Sequence, residues 1–263
     1  MSARDNGSGG LLLWELSWPE IREIKNRVDL VLLPVGSNEQ HGPNLAVNMD
    51  IASCSEFCRR ASARMYPRVA VAPPVPWGVS FHHMNFPGTI TLSTETFIQV
   101  LVEVIASLQH HGFERFLIVN GHGGNVPAMN VATVRAREEL QVPFVGACSY
   151  FSFGDREITQ KYVTSPITGH ACEVETARAM ALVPQVVKHG ALAKGEITEL
   201  QSGFGQLARK YNVSIPYKFD QLTRNGALGD ATKATEEFGR ELLESALGNF
   251  TAFCDELIKA NPV

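Results

Sequence analysis

Four short apolar runs, at 28–35, 69–75, 116–119 and 144–150, recur through the first 150 residues, separated by stretches with helical spacing at 50–65, 94–110 and 126–140. This alternation constrains the fold more than any other feature. Strands that alternate with helices return parallel to one another and bury both sheet faces under the helices, so the pattern predicts an α/β protein with a mainly parallel central sheet covered on both sides. The run VDLVLLPV at 28–35 is apolar almost throughout, as a strand buried on both faces requires. After residue 150 the pattern weakens. A helix is expected from near His170 to Leu182, turns with one short helix over 184–217, and a final amphipathic helix from Ala231 to about Ala260, interrupted near Gly248. The Gly/Ser-rich residues 1–10 read as a flexible tail, and 11–263 as one domain, since no linker composition divides them.

The bulk chemistry excludes several classes of partner. The net charge is −4, and the densest basic group, Arg135 with Arg137, is followed at once by Glu138 and Glu139. A nucleic-acid or anionic-membrane surface needs a concentrated basic face, so neither partner is expected. No stretch approaches the ~20 apolar residues of a membrane span, and the N-terminus lacks the basic and apolar regions of a signal peptide. The five cysteines (54, 58, 148, 172, 254) are odd in number and scattered. They read as buried free thiols in a reducing compartment, hence a cytoplasmic protein.

Chemistry is concentrated in three places where an apolar run gives way to a loop or helix start. Such positions, at the carboxyl ends of parallel strands, are where open α/β sheets place their sites. Glu39 and His41 are two apart, so in extended backbone both side chains face one way. Asp50 follows at a helix start, where it is either an N-cap or a carboxylate with two oxygens free to bridge two cations. His122 lies in Asn120-Gly121-His122-Gly123-Gly124-Asn125. A dinucleotide fingerprint would need glycine at 126, which is Val, and no Gly-Lys-Ser/Thr follows for a phosphate loop. The third stretch carries His170, Glu173 and Glu175. The two glutamates point roughly 200° apart on an ideal helix, and helical spacing pairs Glu173 with His170 if the helix already includes that histidine. Mixed carboxylate and imidazole ligands suit Zn or Mn, so these positions predict a two-metal hydrolase. Ser80 and His83 lie in a loop between a strand and a helix and are expected to contact substrate. His110, His111 and His189 read as solvated turn residues.

Taken together, Leu33 to Ser37, Glu39 to Pro43, Asp50, Phe86-Pro87-Gly88-Thr89, Asn120 to Asn125 and His170 to Thr176 resemble the creatininase family, in family order and over roughly residues 30 to 182. The resemblance implies a three-layer α/β/α sandwich, a binuclear Zn or Mn centre and a homohexamer. It places Glu39, Asp50 and His122 on one metal and His41, Asp50 and Glu175 on the other, with Asp50 bridging and Glu173 as second choice to Glu175. His170 matches the family's catalytic proton-transfer histidine. Gly123 and Gly124, expected at the substrate, stand where creatininase has an aromatic residue and a glutamate. Ser165 to Gly169 stand where it has a tryptophan, and Asn44 stands where the family commonly has histidine.

The expected reaction is therefore hydrolysis of a C–N bond in a small, often cyclic, amide other than creatinine, by a metal-activated water. The alternatives are opening of an oxidised (diketo) inositol ring, favoured by the lack of aromatic enclosure, and hydrolysis of a formylamide. A non-catalytic metal-binding scaffold is the rival of a different class.

Overall fold

The computed structural model describes residues 9–260, so all of the expected tail except Gly9 and Gly10 lies outside the described residues. Five strands form one sheet: β1 (Leu11–Leu12), β2 (Leu30–Val35), β3 (Val69–Val71), β4 (Arg115–Asn120) and β5 (Phe144–Ser149), in the order β1-β3-β2-β4-β5. Every pair is parallel, with Leu30 opposite Val69, Val31 opposite Phe116 and Asn120 opposite Ser149. All six residues of β2, the central strand, are buried.

Alternate side chains sort into two cores, because successive residues of a strand point to opposite faces. Leu30, Leu32, Val71, Leu117 and Val119 pack with α2 (Met49–Arg64), α6 (Glu173–Leu182) and α9 (Glu236–Lys259) through Phe57, Cys58, Leu182, Leu247 and Phe250. Val31, Leu33, Val35, Phe116 and Ile118 pack with α3 (Thr94–His110) and α4 (Val126–Leu140) through Phe97, Leu101, Ile105, Met129 and Ala132. The partly buried Ile21 and Ile24 of α1 (Trp18–Ile24) join this second core. The architecture is thus the expected three-layer α/β/α sandwich.

Several boundaries differ from the sequence expectation for physical reasons. β1 is two residues long, too short to carry a period. It is held at the sheet edge by the buried Ser62 hydroxyl, which accepts from Leu11 N–H (2.9 Å) and donates to the Val69 carbonyl (2.6 Å). The helix α5 (Arg156–Tyr162) was not foreseen. It is under two turns, and its Ile158 and Tyr162 gain their packing from Phe238 and Leu242, far away in sequence. The last helix begins at Glu236, after the Thr235 hydroxyl caps Phe238 N–H, rather than at Ala231. It also continues through Gly248. An interior glycine costs about 1 kcal/mol relative to alanine, and burial of the adjacent Leu247 and Phe250 outweighs that. The short α7 (Gln206–Tyr211) lies in the segment expected to hold turns and one short helix, and α8 (Phe219–Leu222) follows it, where no element was expected.

The strand order creates a switch point. β2 leads into α2 on one face of the sheet, whereas β4 leads into α4 on the other, so a crevice opens between their carboxyl ends.

Candidate metal centre

The loop leaving β2 carries Ser37, Glu39, Gln40 and His41 into this crevice, and all four are buried. Asn44, where the family pattern has histidine, ties the loop down. Its amide donates to the Ala171 carbonyl (2.9 Å) and its oxygen accepts from Ala193 N–H (2.7 Å). Asp50 is not the cap of α2. Asn48 holds that place, and Asp50, in the first turn, turns its carboxylate inward. At the end of β4, the Asn120 side chain accepts from His122 N–H (3.0 Å) and donates to the His122 carbonyl (2.6 Å), fixing the turn. Gly121 lies so close to Asp50 that a Cβ would sit 2.5 Å from its carbonyl oxygen.

The third stretch turns its two glutamates in different directions. α6 starts at Glu173, so His170 precedes the helix in an extended pairing with Leu228 and the i, i+3 rule does not apply to it. Glu173 faces away from the crevice and accepts from Asp230 N–H (2.8 Å). Glu175 Oε2 accepts from Ala171 N–H (2.5 Å) and lies 3.9 Å from His170 Nδ1.

The hydrogen bonds assign the imidazole tautomers. A carbonyl only accepts, so His122 Nε2, facing the Val79 carbonyl at 3.2 Å, carries the proton. Its Nδ1 then points at Glu39 Oε1 and Asp50 Oδ2, each 3.1 Å away. By the same logic His41 donates from Nδ1 to the Glu39 carbonyl (3.1 Å), and its Nε2 lies 3.2 Å from Asp50 Oδ1. Neutral imidazoles would therefore aim lone pairs at carboxylate oxygens. His41 Nε2 and Asp50 Oδ2 are buried without a hydrogen-bond partner. A cation between these atoms would satisfy both, and outer-nitrogen bonds to carbonyls are the usual support of metal-binding histidines. Groups that could hold such ions include Glu39 with His41 and Asp50, and His41 with His170 and Glu175.

The electrostatics agree. Burial pushes the His41 imidazole down, but Asp50 beside it more than compensates, and its pKa rises to about 9. His122 is likewise carried well above the ordinary value by Glu39 and Asp50 against its burial. Burial would raise Glu39, yet His122 holds it below the usual carboxylate range, and His41 and His122 do the same for Asp50. Glu175 is raised, chiefly by burial. The protein without metal thus holds protons where cations would sit. His170 differs: burial and the neighbouring His41 lower it to about 3. It donates from Nε2 to the Gln40 carbonyl (2.7 Å), leaving Nδ1 bare, 3.9 Å from Glu39 Oε1.

The expected substrate-contact residues surround this core. Ser80 donates to Glu39 Oε2 (2.8 Å) and is completely buried, so it supports the glutamate. His83 receives a hydrogen bond at Nδ1 from the Gln40 amide (2.9 Å), whose orientation is set by its further bonds to Gly226 and Gly42. Its Nε2–H therefore faces Glu39 Oε1 at 3.3 Å. Gly124 has no room for a side chain, since a Cβ would lie 2.4 Å from His122 Nε2, whereas Gly123 faces open space. His83, Gly123 and Gly124, but not Ser80, border a cavity of about 520 Å³, lined also by Phe151, Thr168, Arg178 and Phe219. That volume suits a small molecule. Phe219, whose ring centroid lies 4.1 Å from His83 and 4.8 Å from His170, was missed. It corrects the expectation of a pocket without aromatic enclosure. No local motif marks it, because it reaches the site only when α8 docks through Lys218 Nζ on the Phe81 carbonyl and Asn85 on Asp220.

Residues 14–254 match the family model described as creatininase, creatinine amidohydrolase. This chain belongs to the creatininase family. It is 27% identical to the 3-dehydro-scyllo-inosose hydrolase of Thermotoga maritima, over 96% of this chain and 85% of that protein. It is 30% identical to the mycofactocin precursor peptide peptidase of Mycolicibacterium smegmatis, over 84% of this chain and 82% of that protein. A solved creatininase in its manganese form shares the fold, with a TM-score of 0.82 at 24% identity over 95% of this chain and 99% of that one. A creatininase mutant of Zn–Zn type gives 0.80 at 25%, over 95% and 98%. The chain is thus a metal-dependent hydrolase of the creatininase family.

Proposed function

We propose that this chain uses two divalent cations, zinc or manganese, to hydrolyse a C–N bond of a small amide. Glu39, Asp50 and His122 would hold one cation and His41, Asp50 and Glu175 the other, with Asp50 common to both sets. The observation that carries this reading is the pair of imidazoles that spend their outer N–H on carbonyls and turn the other nitrogen to Asp50. Cations bound there supply a water acidic enough to attack at neutral pH and polarise the scissile carbonyl.

The chain's own residues do the rest. Glu39 is held in place by Ser80 and His83. His170, neutral and anchored through Nε2, presents Nδ1 to take up a proton from the attacking water and to return it to the leaving nitrogen. Phe219 and Phe151 wall the pocket, Gly123 leaves open space for substrate, and Gly124 lets the turn pack close against His122. A second reading, opening of an oxidised inositol ring, is supported by the Thermotoga maritima relative, which aligns over nearly the whole chain.

We also infer that residues 11–263 act as one domain, which the shared sheet supports. A cytoplasmic location fits five cysteines that are all free thiols, and a homohexamer is what the family resemblance implies. No described helix is long and apolar enough to cross a membrane.

A hydrolysis screen over creatinine, formylamides, short peptides and oxidised inositols tests the reaction. The reading predicts turnover of at least one amide, abolished by chelation and restored by Zn or Mn. Turnover indifferent to chelation, or confined to the inositols, would overturn it.

A further inference from the structure

Among the described residues that line the cavity over the metal centre, Arg178 is the one positively charged side chain apart from the histidines. It follows Glu175 by three residues on α6, so both reach the same side of the helix. Its charge acts at a distance on Glu175 and Tyr150, but no carboxylate pairs with it directly. Among the described residues it forms no ion pair, and its sole hydrogen bond is a long one, 3.4 Å from Nη2 to the Phe151 carbonyl. The Phe151 ring lies 5.7 Å from the guanidinium carbon and restricts where the fork can turn. A half-buried guanidinium with most of its N–H donors unused is a ready partner for a planar anion, which it can bind through two parallel hydrogen bonds.

The charge balance points the same way. Glu39, Asp50 and Glu175 carry three negative charges against the four positive charges of two divalent cations, so with Arg178 added the cavity is net positive and favours an anionic substrate. A single guanidinium matches a monoanion. We propose that Arg178 is the anion-recognising residue of this pocket and that the substrate is a small amide carrying a carboxylate at a distance from the bond that is cleaved. The inference rests on the assignment of the neighbouring centre as the hydrolytic site. Within the family reading it selects peptide-like and amido-acid substrates over neutral polyols. Arg178 acts in specificity: it fixes one end of the substrate, and the scissile carbonyl falls at the metal centre.

The test is equilibrium binding to the metal-loaded full chain. The probes are malonamate, succinamate and glutaramate, each compared with its neutral diamide, so that three spacings between amide and carboxylate are sampled. Wild type should prefer the acid in at least one pair by about tenfold or more, the scale of a charge-assisted hydrogen bond. Arg178→Met, which keeps an apolar stem against Phe151, should abolish that preference and leave the diamide dissociation constant within about twofold. Arg178→Lys, which keeps the charge without the fork, should recover part of it. A preference that survives Arg178→Met, or no preference in any pair, overturns the proposal. Metal content and hydrolysis are measured on the same samples. Loss of either with anion preference intact counts against the hydrolase reading alone.

Discussion

At the scale of single residues, the centre divides its histidines by what faces their second nitrogen. His41 and His122 meet carboxylates and are raised. His170 is lowered by its burial and by the neighbouring raised His41. His170→Ala should therefore retain the metal content of wild type and lose about 10²- to 10⁴-fold in turnover, the usual contribution of general acid–base catalysis. Loss of metal in that variant would make His170 a ligand. A pH dependence follows from His41. Its folded pKa, about 9, lies above its ordinary 6.5. Its contribution to the stability of the metal-free protein is fully present below pH 6.5 and is lost as pH rises through 9. Thermal unfolding of the chelated protein should show Tm falling over that window. With zinc bound the fall should disappear, because the cation replaces the proton between His41 and Asp50. A Tm that is flat over this window without metal would contradict the assignment.

At the scale of elements, the start of α6 turns Glu175 to the crevice and Glu173 to Asp230, so the two carboxylates are expected to play different parts. Glu175→Gln should weaken metal binding with little change in the fold. Glu173→Ala should leave metal content alone and destabilise the protein by about 1–3 kcal/mol, since it strips the buried Asp230 N–H of its acceptor. Metal analysis and denaturant unfolding of the two variants separate these effects, and the opposite pattern would restore Glu173 as the ligand. Local spacing alone favoured Glu173, because periodicity applies only inside a helix and the sequence does not show that the helix begins after His170. The strands β2, β4 and β5 were legible, being continuous apolar runs that end in turn chemistry. β1 and α5 were not, since their stability comes from Ser62 and from Phe238 and Leu242, partners that no window of neighbouring residues contains. Phe219 belongs with them: it is placed by α8 docking on the loop at 81–85, not by a motif.

At the scale of the whole molecule, the fold and the site are one fact. Parallel strands sent to opposite faces after β2 and β4 leave a crevice at their carboxyl ends, and the Glu39–His41 loop, Asp50 and His122 are the groups that border it. The sandwich was readable because alternation of strand and helix admits few topologies. The proposed ligands were legible as candidates because their residues sit where those strands end. Substrate choice was not, because the cavity wall is assembled from residues 151, 178 and 219, which lie on three separate elements. The central claim is that this crevice holds two cations across Asp50, and metal stoichiometry of the purified chain, with Asp50→Asn beside it, tests it most directly. The account predicts two zinc or manganese ions per chain and loss of both in the variant. One ion or none in wild type, or two that persist in Asp50→Asn, would contradict it.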